Sequence, residues 1–195
     1  MRGLLFLAIL AGSLLGARAD EDAGVVQGTV MVSNTPAAGA VVYLEGPPVA
    51  GTASRDTLVM DQVGLRFIPR LLVVPPGTTI EFRNSDVVLH NIFGPGRPGP
   101  PFDLGTYASA ATRYHTFHET GAHVVLCNVH PEMAAYVLVV PSEHFAVADE
   151  SGRFQIADVP PGIYQLGVWH RWTAPYEQPV DLADRLDLQI SLRPR

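Results

Sequence analysis

Short stretches in which apolar and polar residues alternate with a period of two dominate this chain, and clusters of Gly, Pro, Asn and Asp separate them. Such a pattern predicts β-strands with one buried face, joined by tight turns. Val25 to Val32 and Ala40 to Glu45 read as strands near the N-terminus, with a turn around Ser33 to Ala37. Arg153 to Ile156, Ile163 to His170 and Leu186 to Leu192 read as strands near the C-terminus. Between them, Leu71-Leu72-Val73-Val74 is unbroken by polar residues and predicts a buried strand, followed by a turn at Pro75-Pro76-Gly77. Thr79 to Arg83 alternates, which sends Ile80 and Phe82 inward and Glu81 and Arg83 outward. Val87 to Asn91 is expected to be a strand that ends in His90-Asn91. Tyr114 to His118, a turn at Glu119-Thr120-Gly121, and Ala122 to Cys127 are expected to pair as a hairpin, with Ala135 to Val140 as the strand that follows. The expected fold class is therefore all-β.

Length and charge narrow this picture. A chain of 195 residues can bury one sizeable core or two small ones. Its net charge is −6 and every basic residue is Arg, so it offers nucleic acid no basic footprint. Met1-Arg2-Gly3, the apolar run Leu4 to Leu15, and Ala17-Arg18-Ala19 have the three zones of a secretory signal. The apolar zone is too short to span a bilayer, so residues 1–19 are expected to be removed, and no later segment is long enough to cross. The expected location is periplasmic or secreted. Cys127 is the single cysteine, so no internal disulfide can form. In an oxidising compartment a lone exposed thiol would be a liability, and a bound metal would remove it.

The candidate chemistry lies in Cys127-Asn128-Val129-His130-Pro131-Glu132-Met133. Cys-x2-His-x2-Met puts a thiolate, an imidazole and a thioether on one short loop after an apolar run. A copper ion that alternates between Cu(I) and Cu(II) favours two His and one Cys in a plane, with a long axial Met bond. His90 can supply the second imidazole. A structural zinc fits less well, because closed zinc sites favour Cys and His over Met. His115 and His118 fall on opposite faces of a strand. His123 lies four residues before Cys127, roughly 13 Å along a strand and out of reach of the same ion. His144 and His170 read as structural. Gly94 to Pro101 leaves the strand of His90 and could form part of a rim over the metal, although a plain connector is favoured.

These residues resemble the cupredoxins, the small blue-copper proteins, over about Thr57 to Pro141. The matching residues are Phe67-Ile68-Pro69, Val74 to Phe82, Asn84-Ser85-Asp86, His90-Asn91 and Cys127 to Met133. The short ligand loop is similar to that of amicyanin. The resemblance implies His90, Cys127 and His130 as equatorial ligands of one type 1 copper ion, Met133 as the axial ligand, and Asn91 as a tie between the ligand loops. Where plastocyanin-like chains often carry Tyr or Phe two residues before the Cys, this chain has Val125, which argues against an aromatic electron path there but not against the copper site. The terminal segments resemble the carboxypeptidase regulatory-like β-sandwich through Gly28-x-Val30, Pro36-x-x-Gly39-Ala40, Asp149 to Phe154 and Pro160 to Tyr164. The expected organisation is a Greek-key cupredoxin sandwich at 57–142, inserted in a split accessory sandwich at 20–56 and 143–195. One continuous extended sandwich is the alternative.

No catalytic set is recognisable. The resemblance implies a non-enzymatic single-electron carrier that acts between redox partner proteins. The rival expectations are a copper chaperone or resistance protein, and a surface-binding module in which copper is structural.

Overall fold

In the computed structural model the described residues, 23–46 and 58–195, form strands and turns, with no helix among them. The signal segment expected over 1–19 and the boundary expected at Thr57 lie outside the described residues. Strands β1 (Gly24–Val32), β2 (Thr35–Pro36) and β3 (Val41–Glu45) come first. Next are β4 (Leu58–Gln62), β5 (Phe67–Ile68), β6 (Leu71–Val74), β7 (Thr78–Asn84), β8 (His90–Gly94), β9 (Phe102–Tyr107), β10 (Thr112–Phe117), β11 (Gly121–Leu126) and β12 (Ala134–Val139). The chain closes with β13 (Phe145–Val147), β14 (Arg153–Val159), β15 (Gly162–Trp169), β16 (Tyr176–Leu182) and β17 (Arg185–Leu192).

These strands make four sheets, in the orders β14-β1-β17 with β2 on β1, β13-β3-β15-β16, β6-β12-β11-β8-β9, and β10-β7-β4-β5. Three apolar clusters stack them in that order. Val26, Val30, Phe154, Ile156 and Ile190 of the first sheet meet Val42, Leu44, Leu166 and Val168 of the second. Val41 of the second sheet meets Leu138 of the third, with Val140 just beyond β12 and with Tyr43, Leu71, Val73 and Trp169 partly buried around them. Ile92, Val125, Val137 and Val139 of the third meet Met60, Ile80, Phe82 and Phe117 of the fourth. The two middle sheets are thus covered on both faces. Their strands read as apolar runs rather than alternations for that reason, as in Val41-Val42-Tyr43-Leu44 and Ala134 to Val140. The outer sheets face water on one side, and β14 and β7 keep the period of two. Ile80 and Phe82 point inward as expected.

Several expectations need correction. Tyr114 to His118 and Ala122 to Cys127 do not form a hairpin: β10 pairs with β7, whereas β11 pairs with β12 and β8. The intervening turn crosses from the fourth sheet to the third, and Gly121, at φ 117°, takes a backbone conformation that side chains resist. Val87 to Leu89 are not in a strand, and β8 starts at His90 rather than ending there. Asn84 holds Val88 through a bond from its Nδ2 to the Val88 carbonyl (2.9 Å), which turns the chain and leaves Val87 96% exposed. Because β8 runs away from His90, Gly94 to Pro101 lies at the far end of that strand, where Pro98 packs against Gly121. This agrees with the favoured reading of that stretch as a connector. Strand β16 carries Pro179, which hides a strand in the sequence; the residue is tolerated because β16 is at the edge of its sheet.

Candidate metal centre

Two strand ends and one loop build the site. β11 delivers the chain to Cys127, and Cys127 to Met133 forms the loop before β12. That loop is closed on itself, the Met133 N–H donating to the His130 carbonyl (3.0 Å) and the Cys127 N–H to the Met133 carbonyl (3.4 Å). His90 opens β8 on the adjacent strand. Asn91 joins the two segments: its N–H donates to Cys127 Sγ (3.5 Å) and its Oδ1 accepts from the Asn128 N–H (3.5 Å). Asp103 in turn holds the Asn91 amide at 2.7 Å.

Three donor atoms converge. His90 Nδ1 and His130 Nδ1 are 3.1 Å apart, and Cys127 Sγ lies 3.8 Å from the first and 4.0 Å from the second. Among the described residues, His90, Cys127 and His130 are the one group of at least three His, Cys, Asp or Glu side chains close enough to hold a metal ion. His90 is fully buried and Cys127 is 3% exposed, while His130 is half-buried. Met133 is buried in the same apolar cluster as Cys127. His115, His118, His123, His144 and His170 join no such group.

Asp86 decides the tautomer of His90. A carboxylate only accepts, so the contact between His90 Nε2 and Asp86 Oδ2 (2.9 Å) places the ring proton on Nε2. Nδ1 then presents its lone pair to Cys127 and His130. Asp86 also accepts from the Gly64 N–H (2.6 Å) and the Leu65 N–H (3.0 Å). Burial pushes its carboxyl up, but the bonds from Leu65, His90 and Gly64 outweigh this and hold it below its ordinary value.

The donor set fits a metal. An ion about 2.0 Å from each imidazole nitrogen and about 2.3 Å from a thiolate sulfur would lie close to the plane of these three atoms. Soft sulfur with two imidazoles selects copper or zinc, and a nearby thioether tips the choice toward copper. Around the site, Leu65, Val87, Val88, Leu89 and Val129 are exposed apolar residues at 40% or more.

No protein-family model matches the sequence, and a comparison with curated proteins finds no match. Comparison with solved structures does find similar chains. The chain is similar to a Cu-containing nitrite reductase from Thermus scotoductus SA-01, at 28% identity over 48% of this chain and 25% of that one, with a TM-score of 0.41. It thus spans a quarter of that reductase. It is similar to a purple cupredoxin from Nitrosopumilus maritimus at 26% identity, covering 43% of this chain and 99% of that one, with a TM-score of 0.38. It is also similar to amicyanin from Paracoccus versutus at 24% identity, covering 53% and 99%, with a TM-score of 0.41.

Sequence reasoning named His90, Cys127, His130 and Met133, and the structure gathers the first three into one triangle with Met133 buried nearby. It assigned no role to Asp86, four residues before His90. The spacing of Asp86 was the one available signal.

Proposed function

We propose that the chain is an exported type 1 copper protein that carries single electrons between redox partner proteins in the periplasm or outside the cell. The observation that carries this reading is the triangle of His90 Nδ1, Cys127 Sγ and His130 Nδ1, two of its three residues buried. His90, Cys127 and His130 would hold one copper ion, with Met133 as a further, weak donor. When bound, copper supplies a one-electron couple between Cu(I) and Cu(II).

The protein's own residues do the remainder. Cys127 binds as the thiolate, and its sulfur accepts from the Asn91 N–H. Asp86 orients His90 and keeps its proton away from the metal side. Met133, Val125 and Ile92 keep water out of the interior. Burial of His90, Cys127 and Met133 supports a closed site suited to electron transfer rather than to substrate binding. The half-buried His130, next to the exposed Val129, is where a partner protein would make electronic contact. The three-zone pattern of 1–19 supports export.

The test is the visible spectrum of purified protein loaded with Cu(II). A short Cu–thiolate bond gives an intense charge-transfer band, and Cys127→Ser should abolish it. A colourless wild type, or a Cys127→Ser variant that keeps the band, would overturn the reading. Labile copper with slow electron exchange would point to copper handling instead.

A further inference from the structure

We propose that Asp103, acting through Asn91, is a positioning residue for the loop from Cys127 to His130; this deepens the copper reading of the site and rests on it. The chain of contacts is continuous. Asp103 Oδ1 accepts from Asn91 Nδ2 at 2.7 Å. Asn91 Oδ1 accepts from the Asn128 N–H, and the Asn91 N–H donates to Cys127 Sγ, each at 3.5 Å. Asn128 directly follows Cys127 and stands two residues before His130.

Asp103 decides which way the Asn91 amide faces. A carboxylate only accepts, so the NH2 group of Asn91 points at Asp103 and its Oδ1 points at the Asn128 N–H. The two contacts are unequal. At 3.5 Å the bond from Asn128 is at the outer limit of a hydrogen bond, whereas 2.7 Å to a carboxylate is short and charge-assisted. The weaker bond touches the candidate metal loop, and the stronger one holds its acceptor in place. Asn91 is 2% exposed, so without Asp103 its NH2 group would be left to find another partner or another orientation.

The backbone is arranged to bring Asp103 to this place. Across the β8–β9 pair, Asn91 faces Thr106 and Phe93 faces Asp103, so two steps along β8 match three along β9. The extra residue makes a β-bulge, with Gly105 at φ 73° inside it. In an even ladder Phe93 would face Leu104, and Asp103 would fall on the face of Ile92, which is fully buried in the core. The bulge turns Asp103 to the face of Asn91 instead, on the exposed edge strand of the sheet. The Gly105 N–H donates to the same Asp103 oxygen (2.9 Å), so the bulge itself fixes the carboxylate. Closing the bulge is a structural role, and the test separates it from positioning.

The variants are Asp103→Ala, Asp103→Asn, Asn91→Ala, and Asp103→Ala combined with Asn91→Ala, each checked for folding by thermal melting. Readouts are the solvent-exchange rate of the Asn128 N–H in the metal-free protein, by nuclear magnetic resonance, and Cu(II) affinity by chelator competition. Asp103→Ala should speed Asn128 exchange about 10-fold, the scale of one hydrogen bond to a charged group. Cu(II) affinity should fall about 10-fold, the low end for removing an outer partner of a ligand. Asp103→Asn keeps an acceptor oxygen and should recover most of both. In the Asn91→Ala background, Asp103→Ala should lower affinity no further, because its route to the loop is gone. An equal loss in both backgrounds would mean that Asp103 only closes the bulge, and would overturn the proposal. So would a folded Asp103→Ala variant with unchanged Asn128 exchange and unchanged affinity. If Asn91→Ala does not fold, the Asn128 exchange rates of the two Asp103 variants decide. If the wild type binds no copper, the copper reading falls, but the same exchange rates still decide whether Asp103 holds the loop.

Discussion

At the scale of single residues, the candidate ligands could be read from the sequence because three of them share one loop. Cys127, His130 and Met133 lie within seven positions, and their spacing states the chemistry without a fold. Contacts made through space leave no such mark. Gln62 and Tyr107 are 45 positions apart, so no local pattern joins them. Asp86 is closer, but a carboxylate after Asn84-Ser85 reads as an ordinary turn residue. Its function shows only in the bond to His90 Nε2. Asp86→Ala should free the imidazole and release the Gly64 and Leu65 amides. Copper affinity should fall by about 10-fold or more, measured by competition with a chelator of known strength. Unchanged affinity would mean that the strand alone holds the ring. Met133→Leu removes a weak donor and makes the site more apolar, both of which favour Cu(I). The reduction potential should rise while the visible band survives, and voltammetry checks it. An unchanged potential would make Met133 a core residue only.

At the scale of elements, alternation identified the strands of the outer sheets, but it could not tell which strands pair. β10 and β11 are consecutive with a Gly turn between them, which is also how a hairpin reads. What separates them is the core: Phe117 on β10 and His123 on β11 meet with ring centroids 5.1 Å apart, across the sandwich rather than side by side. His115 lies in the same stack, 3.9 Å from the Phe102 ring and 4.7 Å from Phe117. Burial first, and then the nearby His123 and His118, hold the His115 pKa below its ordinary value of 6.5, against a smaller upward pull from Glu119. The sign follows directly. A group that is harder to protonate in the folded state leaves stability untouched at high pH. Stability is lost as pH falls below 6.5, the unfolded value, and the loss levels off below the lowered folded value. His170 is shifted the same way, by burial and Arg171, and adds to the effect. Urea denaturation of metal-free protein between pH 7.5 and pH 5 should show this decline, and His115→Leu should flatten it. An equally steep decline in that variant would place the acid sensitivity elsewhere.

At the scale of the whole molecule, the sequence suggested two cores and the structure shows three clusters, because the second and third sheets also pack against each other. Neither face of that contact was recognisable, since β6, β12 and β3 from Val41 to Leu44 carry no charged residue to mark which neighbour covers which side. Trp169 and Tyr136, with ring centroids 5.3 Å apart, close its edge, and Gly167 is needed because an added Cβ would lie 2.3 Å from the Tyr43 ring. This contact bears on whether 57–142 can stand alone. The excised segment retains all four expected ligands and the whole cluster around Phe82 and Val137. It would expose Leu138 and Val140, which are 3% and 1% exposed in the full chain. At about 1.5–3 kcal/mol for each fully buried aliphatic side chain, that removes about 3–6 kcal/mol. Typical domain stabilities are about 5–15 kcal/mol, so the loss is large without being decisive. The excised segment should therefore take up copper and colour, melt well below the full chain, and self-associate through the bared sheet. Leu138→Thr with Val140→Thr should restore a monomer in the excised segment yet destabilise the full chain, where the same positions meet Val41. Size-exclusion chromatography and thermal melts of the four proteins decide it. If the double change has the same effect in both backgrounds, Leu138 and Val140 serve only their own sheet, and the two halves of the chain are joined without sharing a core.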